Sequence, residues 1–275
     1  MKIRIAANGL ATDSESGKRL GNFAQRFPAE LAGTSRLHLE IELPNFHCNV
    51  GGTDPLTGQP ACLVCPRNLP DFRPETDRVD AVCRNTRGIM ERVAVLRFSG
   101  VAEPFWKERI FELLAGLGVG PTSDLKVFVT TNGTLLDETV TEKWFATVPS
   151  SEIAFSIDAT RPSTYVKLRR IAEFEKVVRQ MDHYCRTRNP DRHVAVLCNQ
   201  VNLINLDEVP RMVQMTRDHF LHYLQLCLTR PVGRGLEEIC LNDRNVEAFR
   251  RARREASEQA MKLGVNVVFG SDWPA

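Results

Sequence analysis

The chain has 275 residues, of which 43% are hydrophobic and 25% charged, and its formal net charge is +2. This length suits one α/β domain with a large core, and no run of about 18 apolar residues marks a membrane span. The near balance of charge does not favour nucleic acid as a partner. Residues 1–7 are too short in their apolar part for a secretory signal, so we expect a soluble cytoplasmic protein with no membrane partner.

After an opening segment of about 36 residues, short apolar runs alternate with longer amphipathic runs. Near-continuous apolar runs are typical of strands buried on both faces, so the alternation predicts an α/β fold with a parallel, helix-covered sheet. Six such units suit either a doubly wound sheet or a barrel that is not fully closed. The predicted strands are 37–43, 94–98, 125–130, 152–157, 194–198, 224–228 and a possible seventh at 265–269. The predicted helices are 76–92, 104–116, 137–147, 162–186, 206–217 and 243–263.

The same alternation predicts the domain organisation. Residues 1–36 form an N-terminal extension, and residues 37–240 form the barrel-like body. Residues 241–275 contribute a C-terminal helix and a possible extra strand that pack on that body. We find no internal repeat, low-complexity tract or linker that would divide the chain.

Three thiols lie in the loop that follows the first predicted strand, at Cys48, Cys62 and Cys65. A structural zinc normally takes four protein ligands, and so does a [4Fe-4S] cluster in an electron carrier. Three thiols leave one iron open, where a substrate or cofactor can bind. The alternative is that His47 supplies a fourth ligand to a structural zinc, and the cysteines alone do not decide between the two. The other five cysteines are scattered singly, as expected of thiols that pack in a reducing compartment.

Polar and glycine residues also follow each later strand, where the loops of both architectures hold the active site. These motifs are Phe98-Ser-Gly-Val-Ala-Glu103-Pro, Thr131-Asn-Gly133, Ser156-Ile-Asp158 and Pro231-Val-Gly233-Arg. Together with the three cysteines, in this order and spacing, they resemble the core of radical S-adenosylmethionine (SAM) enzymes. The resemblance runs from about residue 37 to residue 235 and implies a partial (β/α)6 TIM-like barrel with parallel strands.

The resemblance implies a [4Fe-4S] cluster on Cys48, Cys62 and Cys65, with SAM chelating the fourth iron. Reductive cleavage of SAM would produce a 5′-deoxyadenosyl radical, which abstracts hydrogen from an organic substrate in a biosynthetic or tailoring pathway. A small molecule is slightly favoured over a peptide as the substrate, and a flavodoxin or ferredoxin would supply the electron. The residues that the resemblance assigns to SAM are Gly100, Ala102, Glu103, Asn132, Ser156, Asp158, Arg169 and Gly233.

Two positions depart from the family's pattern. Thirteen residues separate Cys48 from Cys62, where three are usual, although a longer loop adds little closure entropy. Val64 stands where an aromatic residue is common. Because the remaining cysteines do not cluster, we expect one cluster only. Cys198, at a predicted strand end, is a candidate hydrogen donor, although strand cysteines more often only pack.

Two other functional classes stay open at this point. The chain could be a zinc-stapled, non-catalytic binding protein on a barrel scaffold, or a degenerate family member that binds a cluster without turnover.

Overall fold

The structure is a computed structural model. It describes residues 1–6, 9–23, 36–43, 48–51, 62–65, 78–100, 102–170, 173–231 and 236–274. Ten strands of these residues form a single sheet. They are β1 Lys2–Ile5, β2 Leu10–Asp13, β3 Arg19–Asn22, β4 Leu37–Glu42, β5 Val93–Ser99, β6 Lys126–Thr131, β7 Ser151–Ser156, β8 His193–Val201, β9 Tyr223–Leu228 and β10 Asn266–Phe269.

The described residues form seven α-helices between the later strands, and short 3₁₀ turns at 87–92, 106–108 and 206–208 adjoin three of them. The helices are α1 Val79–Thr86, α2 Arg109–Leu117, α3 Glu138–Thr147, α4 Pro162–Leu168, α5 Phe174–Thr187, α6 Val209–Asp218 and α7 Val246–Leu263. Their apolar faces cover the sheet, and the side chains they bury there include Leu114, Trp144, Met181, Val213 and Phe249.

The strand order decides between the two architectures that the sequence allows. Strands β4 to β10 lie side by side in chain order and pair in parallel throughout. A doubly wound sheet would reverse its order at a switch point, whereas each strand here adds to the same side of the previous one. This arrangement confirms the predicted α/β fold with parallel strands.

The predicted N-terminal extension contains three strands that the sequence analysis did not identify. Strand β1 pairs in parallel with β4, and β2 and β3 continue the sheet in antiparallel fashion. In β1 the side chains alternate between exposed and buried, with Ile3 and Ile5 fully buried. Four-residue strands are too short for this alternation to stand out in a sequence. The domain boundaries at residues 36 and 240 stay a prediction.

Two predicted helices differ from those observed. The helix predicted over 76–92 is α-helical only to Thr86 and continues as a 3₁₀ turn. The helix predicted over 162–186 is two helices, because α4 ends at Leu168 and Arg169 leaves the helical conformation with φ −135° and ψ 70°. Arg169 binds the carboxylate of Asp158 at that point. No helix in the described ranges has the length and apolar character needed to cross a membrane.

Candidate functional site

A cavity of about 590 Å³ opens at the carboxyl ends of the parallel strands. The structure brings nine of the twelve predicted site residues to its walls. They are Cys48, Cys62, Cys65, Gly100, Ala102, Glu103, Asn132, Ser156 and Arg169. A second cavity of about 680 Å³, lined by Cys185, Arg188 and His222, lies near the amino ends of the strands and contains none of the predicted residues.

The Cys62–Cys65 segment is held against the end of α4. Cys62 forms an antiparallel β-bridge with Arg169, and the amide of Leu63 donates to the carbonyl of Leu168 at 2.8 Å. The amide of Cys65 donates to the carbonyl of Cys62 at 3.2 Å, which closes a tight turn. A hydrogen bond with Cys65 and burial raise the pKa of Cys62 well above its usual range. This turn therefore places two neighbouring thiols in the cavity wall.

Cys48 approaches the same cavity from the start of the loop. Its sulfur accepts the amide of Gly51 at 3.2 Å, and the side-chain nitrogen of Asn132 lies 4.0 Å away. The side chain of the neighbouring Asn49 accepts a hydrogen bond from that of Asn132 at 3.0 Å and donates one to the Thr134 hydroxyl at 2.8 Å. The Thr-Asn-Gly turn after β6 thus holds the Cys48 segment in position.

The turn after β6 also binds the carboxylate of Glu103, which is 3% exposed. Glu103 accepts the Thr131 hydroxyl at 2.7 Å and the Asn132 amide at 2.8 Å, and the Phe105 amide at 3.3 Å. Burial raises the pKa of Glu103 to about 7, although these hydrogen bonds act in the opposite direction. Glu103 lines the cavity. Because its pKa is about 7, both its neutral and its charged forms are populated at neutral pH.

Arg169 is the buried cation of the site. Its Nε donates to Oδ2 of Asp158 at 2.8 Å, and its Nη2 forms an ion pair with the same oxygen at 2.8 Å. Nη2 also donates to the Ser156 hydroxyl at 2.8 Å. Burial disfavours the charged guanidinium, but the Asp158 carboxylate raises the pKa of Arg169 and keeps it charged. Asp158 is fully buried, and its Oδ1 accepts the Gln200 amide at 2.8 Å. Ser156 and Arg169 face the cavity, whereas Asp158 lies behind Arg169 and orients it.

The sequence analysis named Cys198 on β8 as a candidate hydrogen donor, but the thiol that lines the cavity is that of Cys227 on β9. Cys198 is not among the residues that line it. Four further residues, which the sequence analysis did not assign to the site, line the same cavity: Gln200, Arg230, Ser271 and Asp272. Ser271 and Asp272 follow β10, and only the pairing of β10 with β9 brings them here. Gly233 and His47, the remaining residues of the sequence analysis, lie outside the described residues.

No family model matches the sequence, and no curated protein matches it. Solved structures match its fold. SuiB of Streptococcus suis bound to S-adenosylmethionine has a TM-score of 0.63 at 12% identity, over 88% of this chain and 53% of that one. anSMEcpe with bound AdoMet and a peptide has a TM-score of 0.56 at 16% identity, over 85% and 63%. A structure of TYW1 with a lysine-pyruvate adduct has a TM-score of 0.50 at 15% identity, over 72% and 68%.

These neighbours are radical SAM enzymes, and the fold they share with this chain is the one that the motif resemblance implies. At 12–16% identity the likeness concerns the fold. The chain spans about half the length of SuiB, 52% to 53% in three SuiB structures.

Proposed function

We propose that this chain is a radical SAM enzyme with one [4Fe-4S] cluster held by Cys48, Cys62 and Cys65. The observation that carries the proposal is the convergence of these thiols on one cavity at the carboxyl rim of the barrel, beside buried Arg169. When bound, the cluster and SAM supply a reductively generated 5′-deoxyadenosyl radical, which abstracts hydrogen from an organic substrate.

The donor set is compatible with the cluster. Three thiols suit a cube with one open iron, because each thiolate binds a different iron. A single zinc ion with Zn–S bonds of about 2.3 Å needs its sulfurs about 3.8 Å apart. In the described part of the chain, no three His, Cys, Asp or Glu side chains are grouped closely enough to hold one metal ion.

The remaining cavity residues offer the contacts that SAM requires. Asn132, Ser156 and Arg169 present hydrogen-bond donors, and Arg169 adds a positive charge for a carboxylate. Glu103 presents a carboxylate for an ammonium group, whose charge would favour the ionised form of Glu103. Gly100 has φ 102° and no side chain, which leaves room for a ligand against the backbone, and Ala102 adds only a methyl group. We propose that the role of Asp158 is to orient Arg169. The assignment of Gly233 to SAM stays a prediction.

The substrate is an organic molecule that enters beside Cys227, Arg230 and Asp272, which line the same cavity. A small molecule stays our slight preference, while SuiB and anSMEcpe have been solved with peptides. The electron donor we propose is a flavodoxin or ferredoxin, and the compartment is the cytoplasm.

The test is anaerobic reconstitution of the full chain. We expect about four irons and four sulfides per chain, a brown protein, and cleavage of SAM to 5′-deoxyadenosine under dithionite. Replacing any one of Cys48, Cys62 or Cys65 with Ala should abolish SAM cleavage. The matched controls are Cys83→Ala and Cys240→Ala, which remove buried thiols that do not line the cavity.

The outcomes separate the alternatives. A colourless protein with one zinc per chain would replace our proposal with the zinc-stapled binding protein. A brown protein that produces no 5′-deoxyadenosine would instead be a degenerate family member, which binds the cluster without turnover. About eight irons per chain would contradict the prediction of one cluster.

A further inference from the structure

The cavity of about 680 Å³ near the amino ends of the strands has no part in the function proposed above. The ends of α5 and α6 form its wall, together with the segment that precedes β10. Three arginines line it, Arg186, Arg188 and Arg217. No aspartate or glutamate of the described residues lines it, and burial raises the pKa of its one thiol, Cys185, to about 12. The described part of the wall is therefore positively charged.

Arg188 is the buried cation of this cavity, with 8% of its surface exposed. Its Nη1 donates to the carbonyl of Cys185 at 2.6 Å and its Nη2 donates to the carbonyl of Phe220, so that it joins the carboxyl ends of α5 and α6. Those helix ends carry only partial negative charge. Within the described residues, its Nε has no hydrogen-bond partner and its guanidinium has no carboxylate partner. Since a buried cation normally has an anionic partner, the cavity is the place left for one.

Two positive charges in the wall are not neutralised by carboxylates of the described residues. Arg186 pairs with Asp182 at 2.6 Å, and the other oxygen of Asp182 lies 2.8 Å from His219. Arg188 and Arg217 form no ion pair with any described residue. A phosphate monoester carries about two negative charges at neutral pH, and guanidinium groups bind its oxygens through paired hydrogen bonds. The charge of the wall thus matches one phosphate group.

Phe220 lies in the same wall on a backbone that glycine would suit better. Its φ is 55°, in the left-handed region, and it follows α6 at the position where helices commonly end on glycine. The Phe220 amide donates to the Arg217 carbonyl at 3.2 Å, and the Leu221 amide donates to the Thr216 carbonyl at 3.0 Å. A glycine would make both bonds with less backbone strain. The end of α6 therefore does not explain why a phenylalanine stands here.

The Phe220 side chain adds an aromatic surface to the charged wall. It is 58% exposed, and the guanidinium of Arg186 lies 5.2 Å from the centre of its ring. Planar groups stack on aromatic rings and on guanidinium planes. The cavity is in the size range of small-molecule sites, and a phosphate ion alone would fill little of it. These features together fit a ligand that joins a phosphate group to a planar ring.

We propose that this cavity binds a small phosphate monoester with a planar ring, which is the chemistry of a nucleotide. Its phosphate lies against Arg188 and Arg217, and its ring stacks on Phe220. No described residue lines both this cavity and the one proposed for SAM. The inference therefore does not depend on the proposed function.

The test is calorimetric titration of the full chain with uridine 5′-monophosphate (UMP), with uridine and inorganic phosphate as partial probes. UMP contains no adenine and so does not imitate SAM. We expect UMP to bind at least about tenfold more tightly than either partial probe, because each of these makes only one of the two sets of contacts. UMP should also raise the thermal midpoint of unfolding, since it binds the folded chain.

Two arginines of α6 offer a matched pair of variants. Arg217 lines the cavity, whereas Arg211 is exposed on the same helix and does not line it. Replacing either with Gln removes one positive charge from the chain. Arg217→Gln should weaken UMP binding about tenfold, because a charge-assisted contact is lost, whereas Arg211→Gln should change it less than about twofold.

Phe220→Gly separates ligand binding from the ending of α6. Glycine relieves the left-handed backbone and keeps the carbonyl that binds Arg188, so the urea midpoint should rise. The loss of the ring should weaken UMP binding at least about fivefold.

The proposal is overturned if UMP fails to bind or binds no more tightly than uridine. Equal binding of UMP and phosphate would overturn it as well, by showing an adventitious ion only. Equal affinities of Arg217→Gln and Arg211→Gln, or a Phe220→Gly variant that gains stability without losing affinity, would also overturn it.

Discussion

Asp158 and Arg169 form a buried ion pair in which each partner depends on the other. Their side chains are 0% and 7% exposed, and Ser156 satisfies a further hydrogen of the guanidinium. An unpaired charge at this depth is costly, since a buried charge needs both a counter-charge and hydrogen bonds. The sequence analysis assigned all three residues to SAM, but Asp158 directs both of its oxygens to protein groups.

We predict that Asp158→Asn lowers the free energy of unfolding by about 3–5 kcal/mol, because it leaves Arg169 charged and buried. Ser156→Ala removes one hydrogen bond and should cost only about 0.5–1.5 kcal/mol. Urea unfolding followed by circular dichroism measures both. Equal losses in the two variants would show that the ion pair is not what holds Arg169.

At the scale of the elements, the turn from β6 to α3 carries much of the site. Thr131 and Asn132 bind Glu103, and Asn132 also contacts the Cys48 segment. The turn is possible because Gly133 has φ +76°, where an L side chain is strained. A Cβ at Gly133 would lie 3.0 Å from a methyl group of Val177 on α5 and 3.5 Å from the Phe155 ring. Backbone conformation and packing therefore both require glycine at this position.

Gly133→Ala should cost about 1–2 kcal/mol for the left-handed backbone and about 1–3 kcal/mol more for the contact with Val177. The matched control is Gly264→Ala, where φ is +64° and no atom lies within 4 Å of the added Cβ. That variant should show the backbone cost only.

Denaturant midpoints of both variants test this difference. Adding Val177→Ala to Gly133→Ala should relieve the steric part of the loss. If the two glycine variants lose the same stability, the close contact with Val177 contributes nothing.

At the scale of the whole molecule, His193 and Glu103 are buried at opposite ends of the barrel. Each makes the free energy of unfolding depend on pH, and the two dependences have opposite signs. Burial lowers the pKa of His193 to about 4, and its ring lies 4.8 Å from Phe145 and 2.8 Å from the Ser151 hydroxyl. A lowered histidine pKa favours the neutral folded form, so its contribution is lost as the pH falls from about 6.5 towards 4. Glu103, with a pKa raised to about 7, loses its contribution as the pH rises from about 4.3 through 7.

We predict that replacing one of these two groups leaves the pH dependence of stability that the other group causes. Relative to the unaltered chain, the free energy of unfolding of His193→Gln should fall more steeply as the pH rises from 4.5 to 6.5. In Glu103→Gln it should rise more steeply over the same range. Urea unfolding at several pH values measures these slopes. The slopes are compared rather than the absolute free energies of unfolding, because both variants also lose local contacts. Parallel profiles in all three proteins would contradict the assignment of either buried group.

The sequence by itself determined the parallel α/β alternation and the positions of the site loops, because fully apolar strands and amphipathic helices leave clear periodic patterns. The place of Cys48, Glu103 and Asn132 at one rim could be predicted in the same way, since each follows a strand end and parallel strand ends share one rim. The place of Cys62 could not, because its β-bridge with Arg169 holds it there. The three N-terminal strands could not, because four residues are too few for a period to emerge.

Only the tertiary structure decided which side chains meet. The order of β4 to β10 distinguishes the partial barrel from a doubly wound sheet, and no local pattern encodes that order. The role of Asp158 behind Arg169 and the position of Cys227 rather than Cys198 in the cavity wall depend on how neighbouring strands align. Asp272 reaches the cavity only because β10 pairs with β9. Contacts across strands depend on register, and register is set by packing between segments that are far apart in the chain.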